Sequence, residues 1–264
     1  MRVGLFDSGV GGLSILRDIW RLMPGASTVY FADTANFPYG TKSEDEVRRC
    51  SLRAVDVLMK YHPSAMVVAC NTASTIALEA IRKYITTVPI VGVVPALKPA
   101  VAMTITKNVA VLATERTLAS RAYQELKKSF ADGMTIIDQP CPGWVELVEN
   151  GQIDDAEAEQ AVRDVVEPLA AAGVDVYVLG CTHYPWLRPL IEKCVGQKAS
   201  TLDSGEAVAK KLQRVLGYQT ANDTERQEIY LTSGNADGFQ KLASRLLGRD
   251  IVLTLYVKSR GEFG

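Results

Sequence analysis

The chain has almost no excess charge of either sign. It contains 29 lysine and arginine residues against 30 aspartate and glutamate residues, which gives a net charge of −1. No basic run is present to attract nucleic acid or an anionic membrane surface. We therefore expect neither nucleic acid nor a membrane among the partners of this protein.

Long apolar runs and a disulfide framework are also missing. No stretch reaches the roughly 18 to 20 apolar residues of a membrane span, and only a short apolar run precedes Asp7. The five cysteines are an odd number and contain no C-x-x-C pattern. The sequence predicts a cytoplasmic protein whose thiols stay reduced.

Short apolar runs alternate with segments of helical periodicity along most of the 264 residues. This alternation predicts an α/β fold with mainly parallel sheets and helices on their faces. Ser43 and Glu46 form a capping box, which predicts a helix running to about Tyr61. The expected strands lie near residues 3 to 6, 28 to 32, 65 to 69, 89 to 94, 108 to 112, 134 to 138, 175 to 179, 228 to 232 and 251 to 256.

Two stretches of the first half of the chain resemble two stretches of the second half. VGLFDSGVGGLS is similar to VAVLATERTLAS, and MVVACNTAS is similar to VYVLGCTHYP, with nearly the same spacing within each half. We interpret this as an internal duplication that produces two similar α/β lobes. The first lobe is expected to comprise residues 1 to 96 and 206 to 264, and the second residues 97 to 205. A pseudo-two-fold axis would relate the lobes, with the active site in the cleft between them.

Two cysteines stand at the ends of expected strands. Cys70 in VVACNTAS lies where a strand gives way to a helix, and Cys181 in LGCTHYP occupies the corresponding place in the second half. Ligands bind at the carboxyl ends of parallel strands, and helix N-termini favour anions and thiolates. Thiols on opposite walls of a cleft can act as general base and general acid on one carbon, as inversion of a stereocentre requires. Asp7 and His183 are candidate partners for the proton transfers.

Other groups near the expected strand ends suit a small anionic substrate. The hydroxyl and amide groups belong to Ser8, Asn71, Thr72, Thr114, Thr117 and Thr182. Tyr39 and Gly40 lie in a turn-rich loop that can reach a ligand. The GVGG turn does not indicate a nucleotide site, because Ser14 stands where G-x-G-x-x-G requires glycine.

Six motifs in order along the chain resemble those of bacterial glutamate racemases, in the aspartate/glutamate racemase family. They are FDSGVGGLS, ADTANFPYGTKS, VVACNTAS, CPGWVELVENG, LGCTHYP and YLTSGNADGF. The resemblance implies a two-base racemase that converts L-glutamate to D-glutamate for peptidoglycan synthesis, without a cofactor or a metal. It implies that Cys70 works on the proton of the D isomer and Cys181 on that of the L isomer. We expect a homodimer or a monomer–dimer equilibrium.

The same resemblance implies roles for further residues. Beside the two cysteines, Asp7, His183 and Glu149 are implied in catalysis. The implied substrate contacts are Asp7, Ser8, Tyr39, Gly40, Asn71, Thr72, Thr182 and His183. The chain departs from the family pattern at Val94, where glutamate is common, and at Arg116, where glycine is usual.

Three alternatives remain open on the sequence. The nearest is a racemase for another acidic amino acid, such as aspartate. The second is a zinc-dependent enzyme that uses Cys70, Cys181 and His183, although C-x-H is not a usual zinc spacing. The third is a binding module without catalysis, since two-lobed α/β folds also capture small solutes.

Overall fold

The computed structural model describes residues 1 to 218 and 226 to 256. Within that part of the chain the strands are β1 (Arg2–Asp7), β2 (Ser27–Ala32), β3 (Ala65–Val68), β4 (Ile90–Gly92), β5 (Asn108–Ala113), β6 (Thr135–Pro140), β7 (Val176–Leu179), β8 (Ser200–Leu202), β9 (Glu228–Thr232) and β10 (Leu255–Tyr256). The helices are α1 (Leu13–Leu22), α2 (Glu44–Met59), α3 (Asn71–Tyr84), α4 (Leu97–Met103), α5 (Glu115–Ala119), α6 (Arg121–Phe130), α7 (Trp144–Glu149), α8 (Ala156–Ala171), α9 (Arg188–Val195), α10 (Gly205–Leu216) and α11 (Ala236–Leu247).

The described strands form two sheets, and every pairing in them is parallel. The first sheet has the order β10-β9-β2-β1-β3-β4, and the second has the order β6-β5-β7-β8. The central strands β1, β3, β5 and β7 consist almost entirely of buried residues. Continuous apolar strands of this kind are typical of parallel sheets that helices cover on both faces. The predicted α/β class is confirmed.

Contacts between residues divide the chain into two compact units. The first unit comprises Met1–Val93 and Gly205–Gly264, and the second is Val94–Ser204. The chain passes from the first unit to the second after Val93 and returns to the first after Ser204. Both boundaries lie within a few residues of those expected from the sequence, which were after residues 96 and 205. The first unit is therefore assembled from both ends of the chain, whereas the second is one continuous segment.

The two sheets share one strand order. In the first sheet, the first four strands of the chain lie as β2-β1-β3-β4, and the next four lie as β6-β5-β7-β8 in the second sheet. The internal resemblance between the halves of the sequence therefore has a counterpart in topology. Cys70 follows β3 and Cys181 follows β7, so each cysteine stands after the third of its four strands.

Most predicted elements occur near their expected positions. The capping box at the start of α2 is present, because the Glu46 side chain accepts from the Ser43 backbone N–H at 2.9 Å and the Ser43 hydroxyl accepts from the Glu46 N–H at 3.3 Å. The prediction missed β8, which is three residues long and only half-buried. The strand expected over residues 251 to 256 was too long, since only Leu255–Tyr256 pair with β9.

The described helices cover the sheets, and none has the combination of length and apolar character that crossing a bilayer demands. Two buried clusters show where the core lies. In the first unit, Phe6, Val47 and Leu58 join β1 to α2, and in the second unit Leu97 and Val111 join α4 to β5.

Candidate active site

The carboxyl end of β1 holds a buried carboxylate in a tight turn. Asp7 is fully buried, and its Oδ1 accepts the Gly9 N–H at 3.0 Å. A Cβ on Gly12 would lie 2.8 Å from the Asp7 Cβ and 3.0 Å from the Ala69 Cβ. The glycine thus permits a close approach between the start of α1 and the ends of β1 and β3. This packing gives the GVGG turn a structural reason unrelated to nucleotides.

Cys70 lies at the start of a long helix. It is the N-cap residue of α3, is 6% exposed, and its side chain makes no capping bond. The Ser8 hydroxyl lies 3.9 Å from the Cys70 Sγ, at hydrogen-bonding distance for sulfur. The prediction that a strand, a turn and a helix surround this cysteine is confirmed. Asp7, Ser8 and Cys70 therefore gather at the carboxyl edge of the first sheet.

Asn71 and Thr72 form the first turn of α3 and are buried. The Asn71 Oδ1 atom has no hydrogen-bond partner, although Asn71 is only 4% exposed. A buried acceptor without a partner carries a desolvation cost that a bound donor removes. The Asn71 carbonyl is therefore a candidate acceptor for a ligand beside Cys70.

The loop after β2 is held by a carboxylate that sequence reasoning missed. Asp33 is buried and accepts from the Tyr39 hydroxyl at 2.6 Å, the Ser233 hydroxyl at 2.7 Å and the Asn36 amide at 2.9 Å. Burial raises the pKa of Tyr39 well above its ordinary value, and the Asp33 charge adds to that effect. Tyr39 packs in the same buried cluster as Cys70. An aspartate directly after a strand was the available signal in the sequence.

A chain of three side chains lies at the end of β7 in the second unit. The Cys181 Sγ is 3.7 Å from His183 Nδ1, and His183 Nε2 is 2.7 Å from a Glu149 carboxylate oxygen. The His183 side chain is 2% exposed and that of Glu149 is 15% exposed. Burial lowers the pKa of His183, but hydrogen bonds and charges of Cys181 and Glu149 outweigh it and raise that pKa well above its ordinary value.

Gly180 allows the chain after β7 to lie against β5. A Cβ at this position would come within 3.0 Å of the Ala113 Cβ and the Leu112 carbonyl oxygen. Its N–H donates to the same Leu112 carbonyl at 2.7 Å. The glycine before Cys181 therefore fixes the path that brings the cysteine to the carboxyl edge of the second sheet.

Three threonines named from the sequence also lie in the second unit, and two of them bond to each other at the start of α5. The Thr114 hydroxyl caps α5 by accepting from the Thr117 N–H at 3.2 Å, and it donates to the Thr117 hydroxyl at 3.0 Å. Thr182 is buried beside Cys181. Thr114 and Thr117 therefore have a structural role that their sequence pattern did not reveal.

A zinc-dependent enzyme was one alternative left open by the sequence. Among residues 1 to 218 and 226 to 256, no group of three or more histidine, cysteine, aspartate or glutamate side chains is arranged to hold a metal ion.

The Glu149 to His183 contact predicts a pH-dependent contribution to stability. Because the pKa of folded His183 is raised above the ordinary 6.5, the contact stabilises the fold fully below that pH. The stabilisation is lost as pH rises through the folded value. We expect Glu149→Gln to lower the free energy of unfolding by about 1 to 3 kcal/mol just below pH 6.5, and by less at alkaline pH.

Urea unfolding across a pH series measures this difference. Glu167→Gln is the matched control, since Glu167 forms an exposed ion pair with Arg163. Loss of that pair should change the free energy of unfolding little at any pH. If the loss of unfolding free energy in Glu149→Gln became larger as the pH rises, that result would contradict a raised pKa for His183.

Residues 13 to 212 match the family described as Asp/Glu/Hydantoin racemase. The chain belongs to this racemase family. It is 42% identical over 248 residues to the glutamate racemase of Ectopseudomonas mendocina, covering 93% of this chain and 94% of the relative.

Solved glutamate racemases have the same fold. Isoform RacE1 from Bacillus anthracis matches with a TM-score of 0.86 and 31% identity over 96% of each chain. The Escherichia coli enzyme, solved with L-glutamate and the activator UDP-MurNAc-ala, matches with a TM-score of 0.84 and 32% identity over 94% of each chain. The family match over residues 13 to 212 includes the segments that carry both cysteines.

Proposed function

We propose that this protein is a glutamate racemase that interconverts L-glutamate and D-glutamate without a cofactor. The relative from Ectopseudomonas mendocina, which supports this, is 42% identical over 93% of this chain and carries that name. The observation that carries the proposal is the pair of buried cysteines, Cys70 and Cys181, which follow β3 and β7, the corresponding strands of the four-strand order that the two sheets share. Each thiol also has polar groups at hydrogen-bonding distance.

In the proposed reaction from L to D, the Cys181 thiolate takes the Cα proton of L-glutamate and the Cys70 thiol gives a proton to the opposite face. The C–H electron pair passes to a carbanion and then to the new C–H bond, so no oxidant or reductant is needed. At the end Cys181 is a thiol and Cys70 a thiolate, which is the state required for the reverse reaction. Each cysteine thus acts as acid in one direction and base in the other.

The first unit would serve Cys70 with neutral and acidic partners. The Ser8 hydroxyl is close enough to donate to a Cys70 thiolate, and the buried Asp7 carboxylate stands next to it in the chain. The unpartnered Asn71 carbonyl oxygen needs a donor, and the ammonium group is the strongest donor that glutamate carries. We assign Asn71 to the substrate ammonium on this basis.

The second unit would serve Cys181 with a histidine. His183 lies between Cys181 and Glu149, and its raised pKa favours an imidazolium that stabilises the thiolate. Glu149 holds the ring from its other side. We propose the triad of Cys181, His183 and Glu149 as the group that handles the proton of L-glutamate.

The remaining contacts would bind and orient glutamate. Tyr39 and Gly40 belong to the loop that Asp33 holds, and the backbone N–H groups at Thr72 and Thr182 suit carboxylates. We also propose that Thr114 and Thr117 contact the substrate, through atoms that do not take part in capping α5. These assignments rest on the resemblance and on the position of each residue after a strand.

A racemase for aspartate is the second candidate, since the family description includes aspartate. The relatives named above are glutamate racemases, which favours the longer substrate. One added methylene discriminates by about 1 to 3 kcal/mol, so the two substrates are separable by rate.

The test is incubation of purified protein with L-glutamate in heavy water, with no added cofactor. We expect D-glutamate to accumulate with deuterium from solvent at Cα, measured by proton NMR together with optical rotation. L-Aspartate should turn over at least about tenfold more slowly at equal concentration.

A protein with both Cys70→Ala and Cys181→Ala, purified in the same way, controls for a contaminating racemase. Turnover that depends on added pyridoxal phosphate, faster racemisation of aspartate, or glutamate binding without conversion would each overturn the proposal.

The proposed role is supply of D-glutamate for peptidoglycan, in keeping with the activity of the relatives. A cytoplasmic location stays a prediction of the sequence. The same holds for the homodimer or monomer–dimer equilibrium.

A further inference from the structure

Tyr184 follows His183 directly and is fully buried. Its backbone N–H donates to the Cys181 carbonyl at 3.2 Å, which closes the turn that carries the cysteine and histidine. Its hydroxyl donates to the Cys141 carbonyl at 3.3 Å, in the loop that leads from β6 to α7. One side chain therefore joins the Cys181 turn to the segment before α7.

Trp144 is the first residue of α7 and is also buried. Its ring meets the Tyr184 ring edge to face, with centroids 5.1 Å apart and planes at 70°. Its indole N–H donates to the Ala161 carbonyl in α8 at 3.3 Å. The start of α7 is thus held by both the Cys181 turn and α8.

The last residue of α7 is Glu149, which contacts His183. The short helix is therefore attached to the same turn at both ends, at one end through Trp144 and Tyr184 and at the other through Glu149 and His183. The aromatic contact joins Tyr184 to Trp144 and the hydrogen bond of the Tyr184 hydroxyl goes to Cys141, so neither involves the thiol of a proposed proton carrier.

We propose that Tyr184 and Trp144 are positioning residues for the proton step of Cys181, because they hold α7 where Glu149 meets His183. The inference rests on the proposed function and adds two residues to it. Small displacements of catalytic groups are costly. A mutation far from the chemistry that misplaces such groups by about 1 Å can lower the rate by about 10²-fold.

Charged and titratable groups lie around both His183 and Tyr184. Cys181 and Glu149 act on His183, while Cys141, Cys181 and Glu146 act on Tyr184. Burial, followed by the charges of Cys141 and Cys181, raises the pKa of Tyr184 well above its ordinary value. Tyr184 is therefore a neutral hydrogen-bond donor over the working pH range, and the titration to follow is that of His183.

The first experiment measures the His183 titration by NMR of the imidazole, without any assay of turnover. The chain has two histidines, and the other, His62, is exposed, so the two signals are separable. Tyr184→Phe keeps the ring and removes the hydroxyl. We expect the pKa of His183 to fall by about one pH unit, because the hydrogen bond and charge of Glu149 are weakened.

The second experiment uses glutamate that carries deuterium at Cα. The two isomers have equal free energies in solution, so kcat/KM must fall equally in both directions, by about tenfold. In the conversion of L-glutamate to D-glutamate, Cys181 removes the deuteron from Cα, and the primary isotope effect in this direction should rise. In the conversion of D-glutamate to L-glutamate the isotope effect should fall, because removal of the deuteron by Cys70 is no longer rate-limiting.

Tyr123→Phe is the matched control, since Tyr123 is a buried tyrosine of the same unit whose hydroxyl bonds Asp138 instead. It should leave the His183 titration and both isotope effects unchanged. Trp144→Phe keeps an aromatic ring and should act as Tyr184→Phe does, which covers the case in which one variant folds poorly.

A folded Tyr184→Phe or Trp144→Phe protein that matches Tyr123→Phe in the His183 titration overturns the inference. Equal changes of the isotope effects in both directions do so too, since they indicate a general structural loss. If the unaltered protein does not racemise glutamate, the proposed function fails, whereas the NMR result still decides whether Tyr184 positions Glu149.

Discussion

Replacing either Cys70 or Cys181 with alanine should reduce glutamate racemisation by about 10³-fold or more in both directions. Each change removes the only proton carrier proposed for one face of Cα, so the remaining thiol cannot complete an inversion. Any residual exchange of the Cα proton with heavy water should be restricted to one isomer. It should involve L-glutamate in Cys70→Ala and D-glutamate in Cys181→Ala.

Cys194→Ala provides the control, because Cys194 is partly exposed on α9 and has no proposed part in the reaction. It should keep wild-type kcat and KM. Circular dichroism and urea unfolding should show all three variants folded, since removing one sulfur atom leaves only a small cavity. Retention of full activity by a folded Cys70→Ala or Cys181→Ala protein would disprove the two-base proposal.

His183→Asn should lower kcat by about 10² to 10⁴-fold. His183 is buried and contacts both the Cys181 sulfur and the Glu149 carboxylate, and its raised pKa supplies positive charge beside the thiolate. Asparagine is uncharged and too short to bridge Cys181 and Glu149. Steady-state rates for both isomers, with the isotope effect in each direction, measure the loss.

His62→Asn is the matched control for this histidine. His62 is exposed and has a φ of 51°, a left-handed conformation that asparagine accepts readily. The control should therefore keep both fold and activity. A His183→Asn protein with the activity of His62→Asn would mean that Cys181 needs no imidazole.

The fold was largely predictable because parallel strands are buried on both faces and read as apolar runs. β1, β3, β5 and β7 lie where those runs stand in the sequence. β8 was missed because it is short and its residues are only half-buried, so it carries no such signal. The extent of β10 was set by pairing with β9, which local sequence does not encode.

Strand ends were the part of the candidate site that local sequence could predict. Asp7 ends β1, and Ser8, Cys70, Cys181 and His183 follow strands, whereas Glu149 was named from the resemblance alone. The supporting residues Tyr184, Trp144 and Ser233 are distant in sequence from what they contact, so no spacing pattern reveals them. Thr114 and Thr117 were predictable in place, but the capping of α5 by the Thr114 hydroxyl was not.

The discontinuous first unit has a consequence for synthesis on the ribosome. β2 pairs with β9, whose residues emerge only after the whole of Val94–Ser204 has been made. Until then the nascent first sheet has an unpaired edge at β2, and Asp33 lacks the hydroxyl of Ser233. The segment Val94–Ser204 is thus free to fold first, and the unit that holds Cys70 is completed only after β9 has emerged.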